Sequence, residues 1–358
     1  MTPAAHRRAG ETPRVAILRA LPGVGDLLCA VPSFRAVRSR YPHGRIVLVG
    51  LATSGWFVDR YPDLVDDLLP LEGVEGLPEV VPDPAAAARF ARRARAASFD
   101  LALQLHGNGA VTNRIMRTLG AGQTVGAHRI EDPRPTWPSI VYPDREPEVA
   151  RMLAVVAAAG CPPRGQHLDL RVTPAERAEA DGLLDEVATV GRTFVCVHPG
   201  ASRSERRWPA ERFRDVADHL AERGHTVVVT GTASEADVTS AVADRGRHVD
   251  LTGRTSIGVL GAVYQRSALV VTNDTGASHV AAAVGAPSVV VAGGDEPERW
   301  APADHERHRL VARSADRWPS LEEVISVVDA QLARPSAGVH EPGAVPRRRS
   351  VLDPPGTG

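Results

Sequence analysis

Short runs of Val, Ile and Leu recur along this chain, separated by longer segments whose apolar residues return every three or four positions. "RVAILRA" (14–20) and "RIVLVG" (45–50) are strand-length apolar runs, with a helix-period segment over 26–40 between them. "ASFDLALQLHG" (97–107) holds another strand-like run, followed by the helical "AVTNRIMRTLG" ending at Gly120. The prolines of "HRIEDPRPTWPSIVYPDREPE" (128–148) break the rhythm, and a helix over 148–159 precedes "GCPPRG". The alternation then restarts: helices over 174–189, 209–223, 234–243, 256–266 and 275–284 are interleaved with strands over 193–200, 225–231, 248–253, 268–274 and 287–294. Strands separated by helices of this length specify βαβ units and parallel sheets.

The pattern predicts an α/β chain of two Rossmann-like domains, residues 14–165 and 166–335. They are flanked by Pro-, Gly- and Arg-rich tails, 1–13 and 336–358, predicted to be disordered. A length of 358 residues suits two cores better than one. In such sheets ligands bind beyond the carboxyl ends of strands, so the cleft between the two domains is where to search.

Composition narrows the picture modestly. With 43% hydrophobic and 24% charged residues and a formal net charge of -1, nothing points to nucleic acid as a bulk electrostatic partner. All cationic residues other than histidine are arginine; lysine is absent. Cys29, Cys161 and Cys196 are far apart and form no C-x-x-C pair, so neither a disulfide framework nor a zinc site is signalled. The arginines near the N-terminus lack an apolar segment behind them, and no stretch reaches the length of a membrane span. A cytoplasmic protein is expected.

Three strand-end loops carry candidate chemistry. "NDTGASH" (273–279) opens a helix: Asp274 or Thr275 can cap it, Gly276 permits close ligand approach, and His279 lies one turn on. An ordinary capped helix explains the same residues. "VHPGASRSERRWPAERF" (197–213) gathers Ser202, Arg206 and Arg207 ahead of Trp208–Pro209. Arginine grips phosphate oxygens bidentately, so this loop suits a diphosphate, although a solvated basic loop fits too. "PGVGDLLCA" (22–30) narrowly misses the dinucleotide fingerprint, since Leu28 occupies its last position and Ala30 comes too late. Its Asp26 is either a first-turn acid worth about 0.3–1 kcal/mol through the helix dipole or a carboxylate aimed at a substrate hydroxyl as general base. No P-loop, no G-x-S-x-G elbow and no D-x-D pair is present. A sugar-nucleotide enzyme of this sequence would therefore rely on arginine and helix dipoles, with no metal site, to receive the departing diphosphate.

In order, "ILRALPGVGDLLCAVPSFRAVRSRYP", "FDLALQLHGNGAVTNRIMRTLGA", "HPGASRSERRWPAERF" and "VTNDTGASHVAAAVGAPSVVVAG" resemble glycosyltransferase family 9, the heptosyltransferases. The resemblance covers about residues 14–330. It implies the GT-B fold, with an acceptor domain followed by a nucleotide-sugar domain, and inverting, metal-independent transfer. It places the general base on Asp26 and the donor diphosphate and sugar on Ser202, Arg206, Asp274, Thr275, Gly276 and His279. Arg206 stands where the family commonly has lysine. Gly25, His106 and Asn108 are further cleft or acceptor candidates. No cofactor is implied; the donor substrate is a nucleotide sugar, with ADP-heptose first, and the acceptor a glycan or glycolipid. If that acceptor is lipid-borne, peripheral contact with the inner face of the cell membrane follows. A monomer is expected. The competing readings are a transferase or epimerase using another nucleotide sugar, and a non-catalytic nucleotide-sugar-binding protein.

Overall fold

A computed structural model describes residues 12–186, 193–294, 296–314 and 317–334. The tails predicted over 1–13 and 336–358 lie outside them except for Thr12 and Pro13, as does the end of the helix expected to reach residue 189.

The first half contains, in chain order, β1 (Arg14–Leu18), α1 (Val24–Leu28), α2 (Val31–Arg40), β2 (Arg45–Gly50), α3 (Gly55–Arg60), β3 (Asp67–Pro70), α4 (Pro84–Ala96), β4 (Leu101–Gln104), α5 (Thr112–Thr118), β5 (Gln123–His128), β6 (Ser139–Val141) and α6 (Glu148–Ala158). The strands form one sheet in the order β3-β2-β1-β4-β5-β6, and every pairing is parallel. β1 and β4 are apolar along most of their length because helices cover both faces of a parallel sheet.

The second half contains α7 (Pro174–Glu186), β7 (Phe194–His198), α8 (Ala210–Glu222), β8 (Thr226–Val229), α9 (Ala236–Ala243), β9 (Val249–Asp250), α10 (Ile257–Arg266), β10 (Leu269–Asn273), α11 (Gly276–Ala283), β11 (Ser288–Ala292), α12 (Pro297–Trp300), β12 (His308–Ala312) and α13 (Leu321–Leu332). Its sheet, β12-β11-β10-β7-β8-β9, is also all parallel and repeats the connectivity of the first. In α8 the buried residues Phe213, Val216, Ala217 and Leu220 form one helical stripe against this sheet. Among the described residues no helix is long and apolar enough to cross a membrane.

The alternation read from the sequence is present, with differences of extent. The helix expected over 26–40 is two helices: α1 ends at Leu28, and α2 starts at Val31 with Pro32 in its first turn. Proline has no N–H for the preceding turn and restricts the residue before it, so the helix restarts rather than continuing. The run over 97–107 forms only β4, and that over 248–253 only the two-residue β9. β3, β5, β6, β12, α3, α4, α12 and α13 were not anticipated. Several are short, half-buried edge elements whose patterns carry little period.

In this strand order the connections reverse direction between β1 and β4, and again between β7 and β10. Such switch points open a crevice at the carboxyl ends of the strands. The loops after these four strands hold residues 19–23, 105–111, 199–209 and 274–275.

The halves meet along α1 and α11. Leu28 of α1, fully buried, packs into the core cluster of the second half with Ala277, Val280 and Ala281, and Val24 packs against it. A Cβ at Gly25 would stand 2.2 Å from Cδ2 of His279, so only glycine allows this approach. Gly25→Ala should therefore cost about 1–3 kcal/mol in a denaturant titration. Most of that cost should vanish in a His279→Ala background, whereas an unchanged cost in the double mutant would show that the strain lies elsewhere.

Candidate functional site

A cavity of about 720 Å³ lies between the two halves. Gly23, Val24, Gly25 and Asp26 form its wall on the first half. Ser202, Arg206, Asp274, Thr275, Gly276 and His279 face it from the second. One end is lined by Thr232, Ser234, Glu235, Thr255, Ser256, Ile257 and Leu260, and Trp300 closes another side.

Asp26 sits in the first turn of α1, where its Oδ2 accepts the backbone N–H of Gly23 at 3.1 Å. The capping role is thus real, and the same residue lines the cavity with its side chain 21% exposed. Burial pushes its carboxyl pKa above the ordinary value, against the pull of Arg19, whose Nη2 lies 3.8 Å from Oδ1.

The opposing wall is built by two loops that Asn273 ties together. Its Oδ1 accepts the backbone N–H of Trp208 at 2.9 Å, and its Nδ2 donates to the carbonyl of Pro199 at 2.7 Å. Trp208 is itself fully buried, donating from Nε1 to the carbonyl of Pro319 and packing edge-on against Phe213. This anchor fixes the loop that carries Ser202 and Arg206. The guanidinium of Arg206 has no hydrogen-bonding or ion-pair partner among the described residues. It is close enough to Asp274 to oppose the rise in that carboxyl's pKa, which burial carries to about 6. Neither Asp274 nor Thr275 caps α11 with its side chain, contrary to the expectation for this turn; Thr275 is the N-cap by backbone alone. The N-terminus of α11 consequently opens on the cavity with no side-chain cap.

His279 is buried, and burial lowers its pKa to about 4, so the imidazole is neutral. Its Nδ1 lies 3.6 Å from Cys29 Sγ across the seam, and its ring meets Trp300 edge-on. Burial also holds the Cys29 thiol protonated, so its S–H can donate to Nδ1 and leave the imidazole proton on Nε2.

His106 and Asn108 are not brought into this cavity. His106 accepts the N–H of Ala20 on Nδ1 at 3.1 Å, and burial lowers its pKa to about 4. Asn108 bonds its own loop through Ala110 N–H. Both remain in the loop after β4.

Several contributors were invisible to sequence reasoning. Glu235 lines the cavity and binds the N–H and hydroxyl of Thr232. His198, also in the wall, meets Thr230 at 3.1 Å and is kept neutral by burial. Arg19, Glu148 and Arg299 form an ion cluster behind Asp26. An acid three residues after Thr232 was the one available signal for Glu235. Among the described residues no group of three or more His, Cys, Asp or Glu side chains is placed to hold a metal ion.

The model of glycosyltransferase family 9 (heptosyltransferase) matches residues 87–325, more than half of the chain. The chain belongs to glycosyltransferase family 9. Lipooligosaccharide heptosyltransferase 2 of Haemophilus influenzae is 30% identical over 138 residues, a stretch that spans 36% of this chain and only 40% of that protein. Among solved structures, the family 9 glycosyltransferase of Veillonella parvula superposes with a TM-score of 0.72 at 21% identity, covering 89% of this chain and 97% of that one. The ADP-heptose lipopolysaccharide heptosyltransferase II of E. coli superposes with a TM-score of 0.66 at 20% identity, covering 90% and 98%. These superpositions identify the architecture as the GT-B fold of this family.

Asp274 gives the family 9 site a testable electrostatic signature. Its folded pKa of about 6 stands above the ordinary 3.8, so the native chain keeps a proton that the unfolded chain releases. Stability should fall as pH rises through that window, and ionised Asp274 is a cost above it. Asp274→Asn should raise the stability of the ligand-free protein at pH 8 by about 1–3 kcal/mol and barely change it near pH 4. Equal effects at the two pH values in chemical denaturation would contradict this account.

Proposed function

We propose that this family 9 protein is an inverting glycosyltransferase that moves a heptosyl group from ADP-heptose to a hydroxyl of a glycan or glycolipid acceptor, with Asp26 as general base. One observation carries the reading: a partly desolvated carboxylate on the first half faces a helix N-terminus and an unpaired arginine on the second across a single cavity. The ADP-heptose named for the E. coli neighbour supports the choice of donor.

In this mechanism the Asp26 carboxylate takes the proton of the acceptor hydroxyl. The freed oxygen attacks the anomeric carbon from the face opposite the diphosphate, the bond to the diphosphate oxygen breaks, and the configuration inverts. Charge accumulates on the diphosphate, where the Arg206 guanidinium, the Ser202 hydroxyl and the first amides of α11 receive it. This places fixed positive charge where a divalent cation would otherwise serve, so the reaction proceeds without one. Arginine in place of the family lysine changes the grip from a point charge to a two-pronged fork on adjacent phosphate oxygens. The nucleoside fits the far end, with Ile257 and Leu260 against the base and the Glu235 carboxylate within the wall that would meet ribose hydroxyls. Asp26 does not repel the diphosphate in this arrangement because the two occupy opposite walls. The enzyme works at the cytoplasmic face of the membrane when its acceptor is lipid-borne.

Transfer from ADP-heptose, followed by mass spectrometry of the product, tests the assignment. Asp26→Asn should lower kcat by about 10²–10⁴-fold while leaving donor-induced thermal stabilisation intact. Arg206→Ala should abolish that stabilisation and raise the donor KM by about tenfold or more. Greater stabilisation by a nicotinamide dinucleotide than by any ADP-, GDP- or UDP-sugar would overturn the proposal.

A further inference from the structure

Asp26 belongs to a cluster of four charges that joins the two halves. Arg19, at the end of β1, is fully buried; its Nη1 donates to Glu148 Oε1 at 2.6 Å and to the carbonyl of Leu105 at 2.8 Å, and its Nε to the carbonyl of Asp26 at 3.3 Å. The second oxygen of Glu148 accepts from Arg299 Nε at 2.8 Å. Glu148 opens α6 in the first half, whereas Arg299 lies on α12 in the second. Arg299 also donates to Tyr142 and Glu296, and it stacks over the ring of its neighbour Trp300, which walls the cavity. The Glu148 side chain is 3% exposed, yet both of its oxygens are paired. Arg19 Nη2 is buried without a hydrogen-bond partner and faces Asp26 Oδ1.

We propose that Glu148 is a positioning residue: its two carboxylate oxygens clamp Arg19 of the first half to Arg299 of the second, so that one contact holds the Trp300 wall of the donor cavity and sets how much of the Arg19 charge reaches Asp26. This rests on the reading of Asp26 as the base. Two positive and two negative groups are packed together, so each changes the field at the others. The groups facing Asp26 are Arg19 just after β1, Glu148 on α6, Arg299 on α12 and Cys29 just after α1, with neutral His279 on α11 and, across the cavity, Asp274 and Arg206. Burial alone would push the Glu148 carboxyl up, but Arg19 and Arg299 hold it below the ordinary value and therefore charged. As an anion it offsets Arg19 and raises the affinity of Asp26 for its proton, while Arg299 acts in the opposite sense.

The two ends of the clamp thus predict shifts of opposite sign. The experiment follows the side-chain carboxyl carbon of Asp26 by NMR in Asp-labelled protein, with the resonance identified by its loss in Asp26→Asn. In Glu148→Gln the Asp26 midpoint should move down, and in Arg299→Gln up, each by about half a pH unit or more. The acid limb of kcat/KM should move with it. Arg299→Gln should also raise the donor KM several-fold by releasing Trp300, and Arg299→Lys should restore part of both effects. If Glu148→Gln does not fold, because Arg19 is left buried without its partner, the partly exposed Arg299 series carries the test alone. A lower rate with an unmoved Asp26 midpoint in Arg299→Gln overturns the clamp, whatever the fate of the base. Full activity in Asp26→Asn overturns the base and leaves the midpoint measurement to judge the clamp by itself.

Discussion

The seam between α1 and α11 is the constraint on which the rest of this molecule depends. α1 belongs to the first half by sequence and strand connectivity, but Leu28 and Val24 bury themselves against the second. Two helices can approach this closely only where a side chain is missing, and Gly25 supplies that gap opposite His279. The helix start that carries Asp26 is consequently held over the N-terminus of α11. A mobile arrangement of the halves would lose this alignment; here apolar burial fixes it and the charged groups are set afterwards.

Electrostatics around the seam is arranged in two layers. Towards the cavity stand groups with unsatisfied capacity: the open start of α11, the unpaired Arg206 and the desolvated carboxyls of Asp26 and Asp274. Behind them lies the ion-paired set of Arg19, Glu148 and Arg299. A buried ion cluster is a poor source of net stability, because desolvation consumes most of the Coulombic gain. Its value lies in holding long side chains in one arrangement and fixing the field at a neighbouring carboxylate. The neutral histidines His198 and His279 fit the same logic, since burial keeps further positive charge out of the wall.

Asp26 illustrates how one residue satisfies a local and a global demand. Its carboxylate closes the first turn of a five-residue helix by accepting Gly23 N–H, which a helix this short needs. The same bond fixes the rotamer that lines the cavity. A local capping explanation and a chemical one therefore do not compete for this residue.

The sequence by itself determined the alternation of strands and helices, the existence of two similar halves, and the loops in which polar chemistry gathers, because period and turn chemistry are encoded within a few residues. It also brought out Asp26, Ser202, Arg206 and the 274–279 segment, since each lies where an apolar strand gives way to a helix. It did not determine the break at Cys29–Ala30, where one proline outweighs a continuous apolar period, or the short edge strands, whose burial is set by neighbours distant in the chain. Only tertiary structure decided that Gly25 abuts His279, that Asn273 ties together two loops and that His106 turns inward to Ala20. Most plainly, the partnership of Arg19, Glu148 and Arg299 joins residues up to 280 positions apart. Contacts of that separation leave no local period; they arise because two sheets with the same connectivity present their carboxyl edges to one another.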